Sequence, residues 1–213
     1  MMYDALAGKA GLGATQFLGR ARTLECLPTA RAEGLKGGVK YWDGQFDDAR
    51  LALALARTAA SLGALVVNYC PARALVHEAG KVAGFVCEDA DSGQRFQVRA
   101  RAVVNATGVW VDTLRQMDGD AVGRPVKPIV APSQGVHIVV DREFLPSDHA
   151  LMVPKTADGR VLFAVPWLGK LILGTTDSPR QDVVREPEPF REEVRFILEE
   201  SARYLTRAPR GED

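Results

Sequence analysis

The sequence predicts a chain of two architectures, an α/β layer in its middle and an antiparallel α+β layer around it. Three observations lead there. An Ala- and Leu-rich helical stretch over residues 49–62 runs at once into an apolar stretch over 64–69, which is half of a βαβ crossover. Residues 72–98 hold three strand-like runs separated by turn signals, the pattern of a meander. Beyond Gly119, Pro125, Pro128 and Pro132 punctuate extended segments, and strands with tight turns lead to a closing helix.

Taken in order, residues 1–36 read as helix and loop, rich in Ala, Leu and Gly. Gly8, Gly11 and Gly13 lie there, but no strand precedes them and Gln16 stands where a third fingerprint glycine belongs, so they read as loop punctuation. Residues 41–46 bring Tyr41, Trp42 and Phe46, expected to pack between the two layers. Asp47 supplies an N-cap oxygen for the helix over 49–62, and Gly63 a left-handed exit. Leu51, Leu55, Ala59 and Leu62 share one helical face. Residues 64–69 read as a buried strand ended by Pro71. Strands over 72–77, 82–88 and 96–98 follow, turned at 78–81 and 91–93. Residues 102–106 read as a short apolar strand entering Thr107-Gly108 and a helix over 109–117. Later strands fall at 135–141, 150–153, 160–166 and 170–175, with turns at Asp158-Gly159 and Leu168-Gly169. The helix over 188–205 aligns Val194, Ile197, Leu198, Ser201 and Leu205, and Glu199 and Arg203 stand at i, i+4 on its charged face. The domain expectation is therefore an antiparallel-sheet and helical layer from 1–40 and 119–205, an α/β layer with its meander from 41–118, and a frayed tail from 206–213.

Composition narrows the function. The 213 residues are 46% hydrophobic, enough for a core. Lys plus Arg and Asp plus Glu are 27 each, so the net charge is zero, which argues against a nucleic-acid partner. Three cysteines, Cys26, Cys70 and Cys87, are widely spaced and form no Cys-x-x-Cys pair, so neither a zinc site nor a disulfide framework is expected, and a reduced cytoplasmic setting is. The start has no basic segment followed by an apolar one, so no signal peptide is expected. The longest apolar runs fall far short of the ~20 residues that span a bilayer.

Four places can carry chemistry. Asn105, Ala106, Thr107 and Gly108 are small residues at a strand end entering a helix; Gly108 can take φ > 0, and the helix amides suit an anionic pyrophosphate. An ordinary strand-to-helix turn uses similar residues. His137 follows Ser133-Gln134-Gly135-Val136 in an alternating strand, where an imidazole can bind phosphate or take a proton close to working pH. A sheet histidine bonded to a neighbour is the plainer reading. Lys155 and Arg160 flank a turn and could hold a phosphate. Gly174-Thr175-Thr176-Asp177 ends a strand with two hydroxyls and a carboxylate, able to line a cleft or to cap the sheet.

In sequence order these segments resemble the FAD-dependent glycerol-3-phosphate dehydrogenases. The run from Gly38 through Tyr41-Trp42-Asp43-Gly44-Gln45-Phe46 to Leu51 is similar to the stretch that opens that family's long helix. Val104-Asn105-Ala106-Thr107-Gly108-Val109-Trp110 looks like its second flavin-contacting segment. Pro132-Ser133-Gln134-Gly135-Val136-His137, Phe163-Ala164-Val165-Pro166-Trp167 and Leu173-Gly174-Thr175-Thr176-Asp177 look like its substrate-domain strands. The resemblance implies part of an FAD-binding Rossmann-like layer of the glucose-oxidoreductase kind beside an antiparallel substrate domain. It implies oxidation of sn-glycerol 3-phosphate to dihydroxyacetone phosphate, with electrons passing through FAD to a membrane quinone, in a parent protein peripheral on the cytoplasmic face of the membrane. It places His137 in the active site, Arg160, Thr175 and Asp177 at the substrate, and residues 105–108 along the FAD.

The chain holds no strand–Gly-x-Gly-x-x-Gly–helix unit, no acidic ribose partner and no Arg-Pro-Leu segment, and Leu168 follows Pro-Trp where relatives carry a polar residue. It therefore reads as the central piece of such an enzyme, expected to be inactive and to hold no FAD alone. A related FAD-dependent amino-acid or amine oxidase, or a non-catalytic binding domain, stays open as an alternative.

Overall fold

The computed structural model describes residues 11–156 and 158–213. Residues 1–10, with Gly8, and Ala157 lie outside the described residues. The chain divides into two compact units, one of the described residues up to Gly44 together with Ser133–Asp213, the other Gln45–Pro132.

The first unit begins with an antiparallel pair that the sequence reading missed, β1 (Gln16–Gly19) and β2 (Gly37–Lys40), with Gln16 opposite Lys40. Helix α1 (Arg20–Cys26) connects them. A Cβ on Gly38 would stand 3.2 Å from the Thr23 side chain, so a bare strand lets α1 lie against the pair.

The second unit opens with α2 (Asp48–Ser61). As the sequence predicts, the Asp47 carboxylate accepts from the Arg50 amide at 3.0 Å, and Gly63 takes φ +90°. The three-stranded meander is β3 (Ala72–Glu78), β4 (Lys81–Glu88) and β5 (Arg95–Arg99), in that spatial order and antiparallel. Ala79 and Gly80 both have positive φ, the geometry of a two-residue hairpin turn. A 3₁₀ turn, Gly108–Trp110, leads into α3 (Val111–Val122). His77 on β3, to which the sequence assigns nothing, ties α3 to the sheet: its Nε2 lies 2.9 Å from Asp118 Oδ1, and Asp118 also accepts from Arg124 at 2.8 Å.

Two expected strands in this unit do not form. Residues 64–69 form no strand and are exposed, with Leu65 92% accessible, and residues 102–106 run as irregular chain with Val104 85% accessible. An apolar β-branched run becomes a strand only when a neighbour takes its backbone bonds. No described strand pairs with either segment.

The first unit resumes with β6 (Ser133–Gln134) and β7 (His137–Asp141), then β8 (Leu151–Val153), β9 (Leu162–Trp167), β10 (Lys170–Gly174) and β11 (Ser178–Pro179). Four of these form an antiparallel sheet ordered β7-β10-β9-β8, and β6 pairs separately with β11. Leu168 and Gly169 both have positive φ and close the β9–β10 hairpin. Helix α4 (Arg191–Tyr204) covers the sheet. The core between them contains Phe144, Leu145, Leu162, Leu171, Leu173 and Ile197. Fully burying a Leu, Ile or Phe contributes roughly 1.5–3 kcal/mol, which makes this the better-anchored unit. On the charged face of α4, Arg203 pairs with Glu200 at 3.2 Å and Arg195 with Glu199 at 3.9 Å, so the expected Glu199–Arg203 partnership is replaced by two others. The tail starts docked: the Thr206 amide donates to Thr29 O at 2.8 Å, and Pro209 is buried.

Candidate functional site

The site in the first unit starts from strand register. His137 on β7 lies opposite Gly174 on β10. Val140 points into the core while His137 and Val139 face outward, as the alternation predicts. A Cβ on Gly174 would sit 2.5 Å from His137 Cδ2, and one on Gly135 would sit 2.9 Å from Thr175 Oγ1. Two bare glycines thus let the imidazole and the Thr175 hydroxyl lie against the chain. The Gly174–Thr175 peptide is cis. Thr175 Oγ1 donates to Thr176 O at 2.9 Å. Asp177 follows, exposed. Neither His137 nor Asp177 has a hydrogen-bond or ion-pair partner among the described residues, so both are free to meet a ligand.

Arg160 stands elsewhere in this unit. Its Nε donates to Asp158 Oδ2 at 2.7 Å, and its guanidinium lies 4.1 Å from the Phe196 ring centre. The Arg160 guanidinium, helped by the Thr156 hydroxyl, holds the Asp158 carboxyl down at about 2.

Beneath the site lies a network whose centre the sequence reading did not find. Glu193, only 3% exposed, sits in the first turn of α4. Its Oε1 accepts from Ser178 Oγ at 2.7 Å and Thr176 Oγ1 at 3.1 Å. Its Oε2 accepts from the Phe190 amide at 2.8 Å and Gln134 Nε2 at 2.9 Å. Burial pushes this carboxyl up, but the four donors outweigh it and hold it below the usual carboxylate range. Thr176 Oγ1 also accepts from the Val136 amide at 3.0 Å. Arg180 donates to Gln134 Oε1 at 2.8 Å while gripping Asp182 at 2.7 and 2.9 Å, and stacks 4.8 Å from the Phe190 ring centre. The one sequence signal was an acidic residue in the first turn of a helix, which reads equally well as a solvated charge.

Residues 105–108 belong to the second unit. Asn105 Nδ2 donates to Val111 O at 2.9 Å, and its Oδ1 accepts from Thr107 Oγ1 at 2.8 Å. Gly108 has φ +56°, and nothing lies within 4 Å of where a Cβ would stand. The turn is therefore held by its own side chain while its glycine backbone stays bare.

Among the described residues no group of His, Cys, Asp and Glu could hold a metal, and no helix is long and apolar enough to cross a membrane. The chain belongs to the FAD dependent oxidoreductase family, whose model matches residues 1–212. Over 211 residues it is 43% identical to the mitochondrial glycerol-3-phosphate dehydrogenase of Mus musculus, covering 96% of this chain and 28% of that protein. The chain therefore spans under a third of that relative's length. Among solved structures, the glycerol-3-phosphate dehydrogenase of Bacillus halodurans complexed with FAD matches with a TM-score of 0.76 and 34% identity, over 89% of this chain and 37% of that one. A glycine oxidase from Bacillus cereus matches with a TM-score of 0.66 and 22% identity, over 96% of this chain and 52% of that one, which speaks for the fold alone.

Proposed function

We propose that this chain is part of an FAD-dependent glycerol-3-phosphate dehydrogenase that oxidises sn-glycerol 3-phosphate to dihydroxyacetone phosphate. The observation that carries the reading is the free imidazole of His137, held over Gly174 beside Thr175, within a stretch 43% identical to a protein named for that reaction. Oxidising a secondary alcohol removes a hydride from carbon and a proton from oxygen. FAD, when bound, supplies the two-electron acceptor. His137 takes the hydroxyl proton, and Thr175 and Asp177 orient the hydroxyl groups of the substrate.

Residues 105–108 fit the cofactor, since Gly108 offers a left-handed, open backbone and Asn105 fixes the turn without blocking it. A phosphate contact through Arg160 requires the guanidinium to share itself with Asp158, its present partner. Onward transfer of electrons to a membrane quinone, from a parent protein seated on the cytoplasmic face of the membrane, completes the proposal.

The test is His137→Ala in the flavin-loaded full-length enzyme. General acid–base groups contribute ~10²–10⁴-fold, so kcat/KM for glycerol 3-phosphate falls by that order while flavin content is unchanged. Activity within about twofold of wild type would remove His137 from the chemistry. Turnover of glycine in place of glycerol 3-phosphate would favour an amine-oxidase reading.

A further inference from the structure

We propose that Glu193 is the positioning residue of this site, one buried carboxylate that sets the two segments carrying His137 and Thr175 relative to each other. The inference rests on the proposed function for the site's chemistry. The geometry stands on its own.

The three residues 135–137 have two anchors, one just before them and one within them. Before them, the Gln134 side chain donates to Glu193 Oε2 at 2.9 Å. Within them, the Val136 amide donates to Thr176 Oγ1 at 3.0 Å, and the Thr176 hydroxyl in turn donates to Glu193 Oε1 at 3.1 Å. The facing segment is anchored twice as well, at Thr176 and at Ser178, both on Oε1. Both strands of the site therefore converge on one side chain, fixed in turn by the Phe190 amide at the N-cap of α4. All four lone-pair positions of the carboxylate are filled by donors. Few arrangements of the segments satisfy four donors at once on a group 3% exposed, and a buried donor left unpaired is costly. The imidazole of His137 inherits its place over Gly174 from the pinned Val136 amide one residue earlier.

The carboxylate is needed as an acceptor on both oxygens, but two of its donors are hydroxyls. These can turn and accept from an amide, so Glu193→Gln keeps an oxygen in the place of Oε2 for Gln134 and the Phe190 amide and offers its NH₂, in the place of Oε1, to Thr176 and Ser178. Glu193→Ala cannot. Thr176→Val keeps the shape and the helix cap yet cuts the one link from Val136 to Glu193. A residue that merely caps α4 would leave Thr176→Val with normal catalysis.

The experiment combines amide exchange with kinetics. In Thr176→Val, exchange at the Val136 amide is expected to quicken at least tenfold while β9 and β10 amides hold their wild-type rates. In the flavin-loaded enzyme, kcat for glycerol 3-phosphate falls about tenfold or more with KM within about twofold, because misplacement of reacting groups by ~1 Å can cost 10²-fold. Glu193→Ala does the same, and Glu193→Gln stays within about threefold of wild type on both measures. Ser178→Ala, which removes a single donor, serves if Thr176→Val fails to fold. Val136 exchange at the wild-type rate in the variants, or unchanged kcat and KM beside a lowered Tm, would overturn the proposal. If wild type does not turn over glycerol 3-phosphate, the functional reading fails. The Val136 exchange and the ¹⁵N resonances of the His137 ring, compared between wild type and Thr176→Val, still decide whether Glu193 positions the site.

Discussion

Gly108 and Gly174 decide most at the scale of single residues, and Gly93 is the control for the first. Gly108 and Gly93 have nearly the same backbone, φ +56° and +71°, and neither has an atom within 4 Å of where a Cβ would stand. A side chain at either meets the same left-handed penalty of ~1–2 kcal/mol. They differ only in place, one in the turn read as a cofactor contact and one in a turn of the meander. Gly108→Val should therefore lose flavin in the full-length protein while Gly93→Val keeps it, measured as flavin per polypeptide after gel filtration with melting curves alongside. Equal flavin content in two folded variants would reduce residues 105–108 to a simple chain turn. Gly174 is constrained differently, by space. A Cβ there meets His137 Cδ2 at 2.5 Å and Val136 O at 2.8 Å, and the second neighbour is backbone that cannot swing aside. Gly174→Ala should cost ~1–3 kcal/mol by overpacking and displace the imidazole. Thermal unfolding together with kcat/KM reads both effects; a wild-type Tm with wild-type activity would mean that β7 and β10 part without cost.

At the scale of elements, the legible parts were those whose signals are local. Asp47 and Gly63 bracket α2 because a cap and a left-handed exit are properties of single residues. The β9–β10 hairpin was readable from Leu168-Gly169, and α4 from its apolar spacing. The β1–β2 pair was not, because its partners lie on either side of α1 and neither strand alternates. Residues 64–69 misled in the other direction, since an apolar run says that burial is favourable and not what provides it. Of the site, His137 and Thr175 could be named from sequence. Glu193 could not, because its donors come from positions 134, 176, 178 and 190 and meet only in the fold. That convergence predicts a pH dependence. The folded carboxyl is held below its ordinary value, so its contribution to stability is complete above the ordinary Glu pKa of ~4.3 and is lost as pH falls through that value toward the folded one. The stability gap between wild type and Glu193→Gln, from urea unfolding between about pH 6 and pH 3, should narrow as pH falls. Asp158 and the other carboxylates titrate in both proteins and cancel from the difference. A gap that widens toward acid would show that burial, and not the four donors, governs this group.

At the scale of the whole molecule, the two units differ in how their helices are held. In the first, α4 lays Ile197 with no exposed surface against a sheet whose Leu171 and Leu173 are equally enclosed. In the second, α2 has fourteen residues and buries none, and Leu51, Leu55 and Leu62 stand 46%, 62% and 83% exposed. Isolated helices shorter than ~12–15 residues are marginal in water, so capping by Asp47 cannot hold α2 without tertiary contacts. Leu65, Val66 and Val67 are bare as well, at 92%, 51% and 58%, and exposed apolar surface of this kind binds partners or hydrophobic dyes. The 213-residue chain on its own should thus be stable in one unit and loose in part of the other. Hydrogen exchange should show the amides of α2 opening at least ~10²-fold faster than those of β9 and β10, since local opening spans the range from near zero to the full unfolding free energy. An environment-sensitive apolar dye should bind at the same time, and Leu51→Ser with Leu55→Ser should weaken its binding without moving the main melting transition. Protection of α2 equal to that of β10 would show that the helix is stabilised by something other than packing, and the division of the chain into a firm and a loose unit would fall.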